Sequence, residues 1–247
     1  MKERSSRESA EIRAGDLLRL SEKRGTPVFT AFLNEQEQLF SERFLTGKNA
    51  RFLFWGGHES CTRRMLCVST DGAEEGDFPI YPLTVAFRAG EPLTHRDFLG
   101  AFLSLGIDRA QIGDIFVCQN CAVAFCTKTA RDLILDFVAK VGRTGVTIRD
   151  GVLAELPKAR FEEVGVVAAS LRADCIVGAL SGLSREKAAD FIRSGRFLLN
   201  YEECTSVSKL LNEGDILTLR GYGKFKLADG GTETKKGRIR VRLDRYD

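Results

Sequence analysis

The sequence lacks the features that mark membrane-spanning or secreted chains. Charged residues or glycine interrupt every apolar run, so none approaches the roughly 20 apolar residues that a transmembrane helix needs. The N-terminal stretch, MKERSSRESAEIRAGD, is charged and has no apolar segment typical of a secretory signal. Seven cysteines, an odd number at irregular spacing, do not resemble a disulfide framework. We therefore expect a cytoplasmic protein with free thiols and no membrane association.

Residues suited to acid–base or metal chemistry are also scarce. The chain has two histidines, His58 and His95, and neither belongs to a recognisable Ser–His–Asp arrangement. Cys118 and Cys121 have the spacing of half a zinc site, but a structural zinc ion needs four ligands and the other cysteines are scattered. The sequence therefore predicts a non-enzyme without catalytic residues, metal or cofactor.

Positive charge is concentrated near the C-terminus. The whole chain has 37 basic and 34 acidic residues, whereas residues 170–247 have 15 and 11. Within residues 220–245, nine basic residues accompany three acidic ones. Such a cluster commonly contacts phosphate groups, although a solvated basic surface has the same composition.

The pattern of apolar residues predicts an α+β chain in three parts. Residues 1–75 are interpreted as an α/β segment that begins with a helix. Residues 80–150 have the order β-α-β-β-α-β, with a Thr-x-x-Asp helix start at Thr94 and another at Thr129, and a two-residue hairpin at Gln119-Asn120. This order predicts a ferredoxin-like domain. A linker is expected at residues 150–169, followed by a basic domain at residues 170–247.

The last domain combines two short helices with a small sheet. The helices are predicted at residues 171–180 and 184–195, and the strands at residues 197–201, 215–220 and 238–243. This arrangement resembles the S4 RNA-binding domain. The residues that carry the resemblance are Arg172, Asp174, Ser184-Arg185, Ile192-Arg193-Ser194-Gly195-Arg196, Asn200 and Glu213-Gly214-Asp215. Tyr201 follows Asn200 where the S4 pattern usually has glycine.

The basic residues of this domain are the candidate RNA contacts. Two packed helices can present guanidinium and ammonium groups to RNA phosphates, and this contact gives affinity with little sequence specificity. Arg172, Arg185 and Arg196 are the main candidates, because arginine binds phosphate in a bidentate manner. The remaining candidates are Ser184, Lys187, Arg193, Lys209, Arg220 and Lys224.

Motifs upstream extend the resemblance over most of the chain. Gly56-Gly57 with Arg63-Arg64, the stretch His95-Arg96-Asp97-Phe98-Leu99-Gly100, and the pattern from Gly106 to Ile115 resemble the bacterial YlmH family. The resemblance implies a ferredoxin-like RNA-binding domain joined to an S4 domain, acting in ribosome-associated quality control. It further implies binding to large ribosomal subunits obstructed by peptidyl-tRNA, with rRNA and tRNA as partners. We expect a monomer.

Two other function classes remain open. One is an RNA-modifying enzyme that docks through the S4 domain and has a catalytic pocket within residues 1–150. The other is a protein-binding adaptor. Arg242-Leu243-Asp244 matches the Arg-Leu-Asp of pseudouridine synthases, but it lies too close to the C-terminus to fall within a catalytic domain.

Overall fold

The computed structural model describes residues 2–156, 162–234 and 237–246. The chain forms two compact units, residues 1–159 and 160–247. Part of the predicted linker, residues 157–161, lies outside the described residues, as do Lys235 and Lys236 of the basic cluster. No described helix is both long enough and apolar enough to cross a membrane.

The first unit begins with two helices on a three-stranded antiparallel sheet. Apolar side chains of both helices pack together with those of the sheet. The sheet has the order β1-β3-β2. The elements are α1 (Lys2–Arg24), β1 (Val28–Phe29), α2 (Glu35–Thr46), β2 (Phe52–Trp55) and β3 (Met65–Val68).

The start of α2 is set by a capping box at Asn34. Asn34 is the N-cap: its side chain accepts a hydrogen bond from the Glu37 backbone N–H at 2.9 Å, and the Glu37 carboxylate accepts from the Asn34 N–H at 2.9 Å. This reciprocal pair satisfies two backbone donors that a helix end leaves open. The helix therefore begins at Glu35.

The same unit contains a four-stranded antiparallel sheet with the order β5-β6-β4-β9. Its helices contribute Phe98, Phe102, Ala130 and Ile134 to the core. The elements are β4 (Tyr81–Ala86), α3 (His95–Leu103), β5 (Ile112–Val117), β6 (Cys121–Cys126), α4 (Lys128–Phe137), β7 (Lys140–Val141), β8 (Thr144–Gly145) and β9 (Thr147–Asp150).

One of the two predicted helix starts in this region is confirmed and the other is wrong. Thr94 and Asp97 form a capping box at the start of α3. Helix α4 begins two residues before the predicted start, because the Thr127 hydroxyl, not that of Thr129, accepts the Ala130 N–H at 3.4 Å. Both helices nonetheless follow a threonine N-cap, because threonine is among the residues preferred at this position.

The predicted parts 1–75 and 80–150 belong to one compact unit. Phe32 and Met65 from the first part share one apolar cluster with Phe78, Val123 and Phe125. The two sheets of the first unit are thus joined through common core residues.

The second unit is a six-stranded antiparallel sheet with the order β10-β15-β14-β13-β11-β12. Two helices cover one of its faces and share its core. The elements are β10 (Glu162–Ala168), α5 (Ala173–Ser181), α6 (Arg185–Arg193), β11 (Phe197–Leu199), β12 (Glu202–Glu203), β13 (Ile216–Leu219), β14 (Gly223–Glu233) and β15 (Ile239–Tyr246).

Three strands of this sheet, β10, β12 and β14, were not among the predicted strands. β10 occupies part of the predicted linker, and it pairs with β15 from Glu162 to Ala168. β14 is an eleven-residue strand that was not predicted, because Gly230-Gly231 has the composition of a turn. Register shifts after Leu227 accommodate this stretch within the sheet. The predicted α+β class is confirmed.

Candidate RNA-binding surface

A buried carboxylate links the starts of the two helices in the second unit. Asp174, in the first turn of α5, has a side chain that is 3% exposed. It accepts two hydrogen bonds from the Arg172 guanidinium, with Nε–Oδ1 3.0 Å and Nη2–Oδ2 3.2 Å. Arg185, at the start of α6, approaches the same carboxylate with Nε–Oδ2 3.4 Å. Asp174 therefore holds two arginines from different helices at one place.

The electrostatics of this group favour full ionisation. Burial alone would raise the pKa of Asp174, but hydrogen bonds and charge attraction from Arg172 and Arg185 outweigh it and lower the pKa. The carboxylate in turn raises the pKa of Arg172. The Arg185 side chain remains 77% exposed, so it can reach a ligand while Asp174 retains its contact with Arg172.

Two further predicted residues lie near this group. The Ser184 hydroxyl caps α6 by accepting the Lys187 N–H at 3.4 Å, which confirms the predicted N-cap. The backbone of Lys209 runs beside the start of α5, where the Lys209 carbonyl accepts the Ala173 N–H at 2.8 Å. The exposed end of this unit thus combines two helix N-termini with several basic side chains. Helix N-termini favour negative ligands.

A second group of predicted residues lies where β13 ends. The backbone N–H of Arg220 donates to the Arg196 carbonyl at 3.0 Å, and the Arg196 guanidinium donates to the Arg220 carbonyl at 3.3 Å. The Arg196 guanidinium also stacks on the Phe191 ring at 4.5 Å. Such stacking fixes the orientation of a guanidinium whose edge stays in solvent.

Lys187 and Arg193 lie on the solvent side of α6, opposite the core residues of that helix. Arg193 pairs with Asp190 at 3.0 Å, and both side chains are more than half exposed. An exposed pair of this kind contributes little to stability, so Arg193 can exchange its partner readily.

Lys224 is separate from the helices. Its neighbours in β14, Phe225 and Leu227, point into the core, and alternation along a strand therefore places Lys224 on the other face of the sheet. The Lys224 ammonium lies 4.9 Å from the Tyr201 ring centre and 4.4 Å from that of Tyr246. The nine predicted residues therefore do not form one surface. Most of them lie on or beside the two helices, whereas Lys224 lies on the opposite face of the sheet.

The turn at Asn200-Tyr201 has an unusual backbone. Asn200 has φ 53° and Tyr201 has φ 67°, in the left-handed region that favours glycine. Asn200 secures the turn: its side chain donates to Asp215 at 2.7 Å and accepts the Ile216 N–H at 2.9 Å. Asparagine tolerates this conformation, whereas tyrosine in it costs about 1 kcal/mol or more.

Sequence reasoning did not assign Lys226, Arg240 or Arg242 to a site. All three are exposed. They alternate with core residues such as Val241 and Leu243, so they share the sheet face of Lys224. In the sequence, the alternation Arg-Ile-Arg-Val-Arg-Leu at residues 238–243 indicates a strand whose basic residues share one face.

The upstream motifs form a structural junction in the first unit. The Asp114 carboxylate accepts the backbone N–H groups of Thr62 and Arg63 at 2.6 and 2.8 Å. Arg63 donates to the carbonyls of Phe32 and Ile112, each at 3.1 Å. These hydrogen bonds connect the turn at Thr62-Arg63 with β5 and with the Phe32 backbone.

Two glycines of these motifs, Gly57 and Gly113, allow close packing at the same junction. A Cβ atom at Gly113 would lie 2.7 Å from the Phe32 ring, and one at Gly57 would lie 2.3 Å from the Phe125 ring. Both distances are shorter than side-chain packing permits. The motifs that carry the family resemblance therefore maintain the fold of the first unit.

The molecule is thus an α+β protein with a basic surface at the start of two helices. A family described as "Putative RNA-binding domain in YlmH" matches residues 74–155. The chain is 25% identical over 221 residues to "Ribosome-associated protein quality control protein P2" of Bacillus subtilis (strain 168), covering 87% of this chain and 86% of that protein.

A solved structure is similar in fold. "Cell division protein ylmH from Streptococcus pneumoniae" superimposes with a TM-score of 0.51 and 22% identity, covering 59% of this chain and 90% of that one. The three comparisons agree with the motifs of the first unit and confirm the predicted resemblance. The chain is thus similar to the YlmH family in sequence and to one of its solved structures in fold.

Proposed function

We propose that this protein is a non-catalytic RNA-binding factor that acts on ribosomes in ribosome-associated quality control. Its targets are rRNA of the large ribosomal subunit and peptidyl-tRNA, and it acts as a monomer. Within this proposal, residues 80–150 form a ferredoxin-like RNA-binding domain and residues 170–247 an S4 domain. The antiparallel order β5-β6-β4-β9 with its two helices supports the first assignment.

The observation that carries the proposal is the convergence of Arg172 and Arg185 on Asp174. A single buried carboxylate cannot neutralise two guanidinium groups, so this place keeps a positive charge beside two helix N-termini. A guanidinium group held in this way can donate two hydrogen bonds to the oxygens of a phosphate group. An RNA backbone supplies such phosphates at regular intervals, and recognition then depends on RNA shape more than on base sequence.

The comparisons support the ribosome as the setting. The Bacillus subtilis relative is named for ribosome-associated quality control, and it is similar along most of this chain. The matched RNA-binding family covers the second half of the first unit. A protein with basic surfaces in addition to such a domain can contact RNA at more than one place.

Co-sedimentation with ribosomes tests the proposal. We expect the wild-type protein to migrate with large subunits in a sucrose gradient of lysate from stressed cells. The variant R185Q/K187Q should stay at the top, because it loses two exposed charges of the α6 start. Glutamine is preferred to glutamate at position 185, since a new carboxylate there would repel buried Asp174.

A matched control separates a local effect from a change in net charge. K23Q/R24Q removes the same charge from the exposed end of α1, and it should migrate as wild type does. Migration of wild-type protein at the top of the gradient would contradict the ribosomal proposal. Loss of a specific modified nucleoside from rRNA or tRNA in cells without the gene would instead favour the RNA-modifying enzyme.

A further inference from the structure

We propose that the outer face of the sheet in the second unit is a second RNA-binding surface, distinct from the helical one. We call it the outer sheet surface, and its residues are Lys224, Lys226, Arg240, Arg242, Tyr201 and Tyr246. The inference rests on the proposed function, because it assigns RNA as the partner. It adds that the protein contacts RNA through both sides of this unit.

Strand register places the basic residues together. Lys224 pairs with Tyr246 across β14 and β15, and Lys226 pairs with Asp244. Farther along β15, Arg242 and Arg240 are two residues apart on the same face, at about 6.5–7 Å. Cross-strand neighbours lie about 4.5–5.5 Å apart. These spacings place two arginines on β15 diagonally from two lysines on β14, on one face of the sheet.

The opposite face of the same strands shows that this surface is available. Val241, Leu243, Phe225 and Leu227 pack against the two helices in the core of the unit. Their alternate neighbours therefore point away from the helices. Arg240, Arg242 and Lys226 are all exposed. Asp244, paired with Lys226, and Asp229, paired with Arg242, reduce the charge at those two positions, whereas Arg240 pairs with the uncharged Thr232 and Val167.

The turn at Tyr201 provides an independent observation. Tyrosine occupies a backbone conformation with φ 67°, although glycine would adopt it without strain. Its ring lies 4.9 Å from the Lys224 ammonium, which also lies 4.4 Å from the ring of Tyr246. Strained residues of this kind cluster at functional sites. Here the strain keeps an aromatic ring on the outer sheet surface, where it orients a lysine.

Charge and aromatic content together identify the partner as RNA. Arginine and lysine bind phosphate, and aromatic rings beside them are typical of nucleic-acid surfaces. An acidic protein would satisfy the charges, but it gives no reason for the two tyrosines. Contacts from both sides of one small unit would allow it to bridge two RNA segments.

Binding measurements on the full chain test the inference. The probe is a fluorescein-labelled RNA hairpin, titrated by fluorescence anisotropy at several salt concentrations. R240Q/R242Q should weaken binding about fivefold at low salt. It should also reduce the slope of log affinity against log salt by roughly 0.7–0.9 for each phosphate that the variant no longer neutralises. Because the two surfaces are separate, a variant that combines R240Q/R242Q with R185Q/K187Q should lose RNA affinity by the product of the two separate fold-changes.

The outcomes distinguish this inference from the proposed function. If R240Q/R242Q binds as wild type does while R185Q/K187Q is weakened, the helices alone bind RNA and the second surface is refuted. If wild-type protein does not bind the hairpin, the proposed function fails and the inference fails with it. R240K/R242K, which keeps both charges, should retain the wild-type salt slope.

Lysine footprinting provides a test without any variant. The wild-type chain is acetylated with and without the hairpin, and the modified sites are measured by mass spectrometry. Lys226 should be protected by RNA, whereas Lys23 at the end of α1 should react equally in both samples. Equal reactivity of Lys226 with and without bound RNA would overturn the inference.

Discussion

Asp174→Asn is the substitution that most directly tests how the helical surface is built. The Asp174 carboxylate receives Arg172 at 3.0 and 3.2 Å, Arg185 at 3.4 Å and the Cys175 N–H at 3.1 Å. Asparagine has nearly the same shape and retains one acceptor oxygen, but it cannot neutralise either guanidinium. The change therefore keeps the side-chain shape but removes the charge interaction, and it replaces one acceptor oxygen by an amide N–H donor that faces other donors.

The expected loss of stability is moderate. Breaking a fully buried ion pair costs about 3–5 kcal/mol. Here the Arg172 side chain is 35% exposed and that of Arg185 77%, so both cations regain water when the carboxylate is removed. Solvent screening thus reduces the expected cost to about 1–2 kcal/mol. RNA affinity should also fall, because neither arginine is then held in place.

The effect of pH has a definite sign. The pKa of Asp174 is lowered in the folded state, so its contribution to stability is present above the unfolded value of about 4. It is lost as pH falls through the lower folded value. The difference in stability between wild type and D174N should therefore be largest near neutral pH and should shrink below about pH 4.

Two measurements check this prediction. Urea unfolding followed by circular dichroism gives the stability difference, and hydrogen exchange of peptides from α5 locates it. Trp55, the single tryptophan, lies in the first unit, so its fluorescence transition should not change. An unchanged midpoint and unchanged exchange in α5 at neutral pH would refute the role assigned to Asp174.

Three further predictions concern the first unit. Gly113→Ala should destabilise it by about 1–3 kcal/mol through a clash at the junction. Gly100→Ala, a matched change in α3 with open space around it, should stabilise it by about 0.5–1 kcal/mol, and thermal unfolding compares the two. Asp114→Ala should cost about 1–3 kcal/mol, because the backbone N–H groups of Thr62 and Arg63 lose hydrogen bonds to a charged acceptor; an unchanged melting temperature would contradict this. Burial raises the pKa of Cys126 to about 12, so iodoacetamide at pH 8 should modify the partly exposed Cys118 before Cys126, as mass spectrometry would detect.

Local sequence signals determined several features of the protein. The Ser184 hydroxyl and the Thr94–Asp97 pair mark helix starts because capping depends on residues a few positions apart. The Gln119-Asn120 stretch lies between β5 and β6, where the hairpin was predicted. The α+β class and the family resemblance followed from patterns of the same short range.

Tertiary structure alone decided which distant residues meet. β10 pairs with β15 across more than seventy residues of chain, and no local pattern specifies such a partner. The role of Asp174 depends on Arg185 from another helix, and that of Asp114 on a turn far earlier in the chain. The division of basic residues between the helical surface and the outer sheet surface likewise follows from strand register. Composition fixes how much charge a chain has, and only the packing of its strands and helices determines which face presents it.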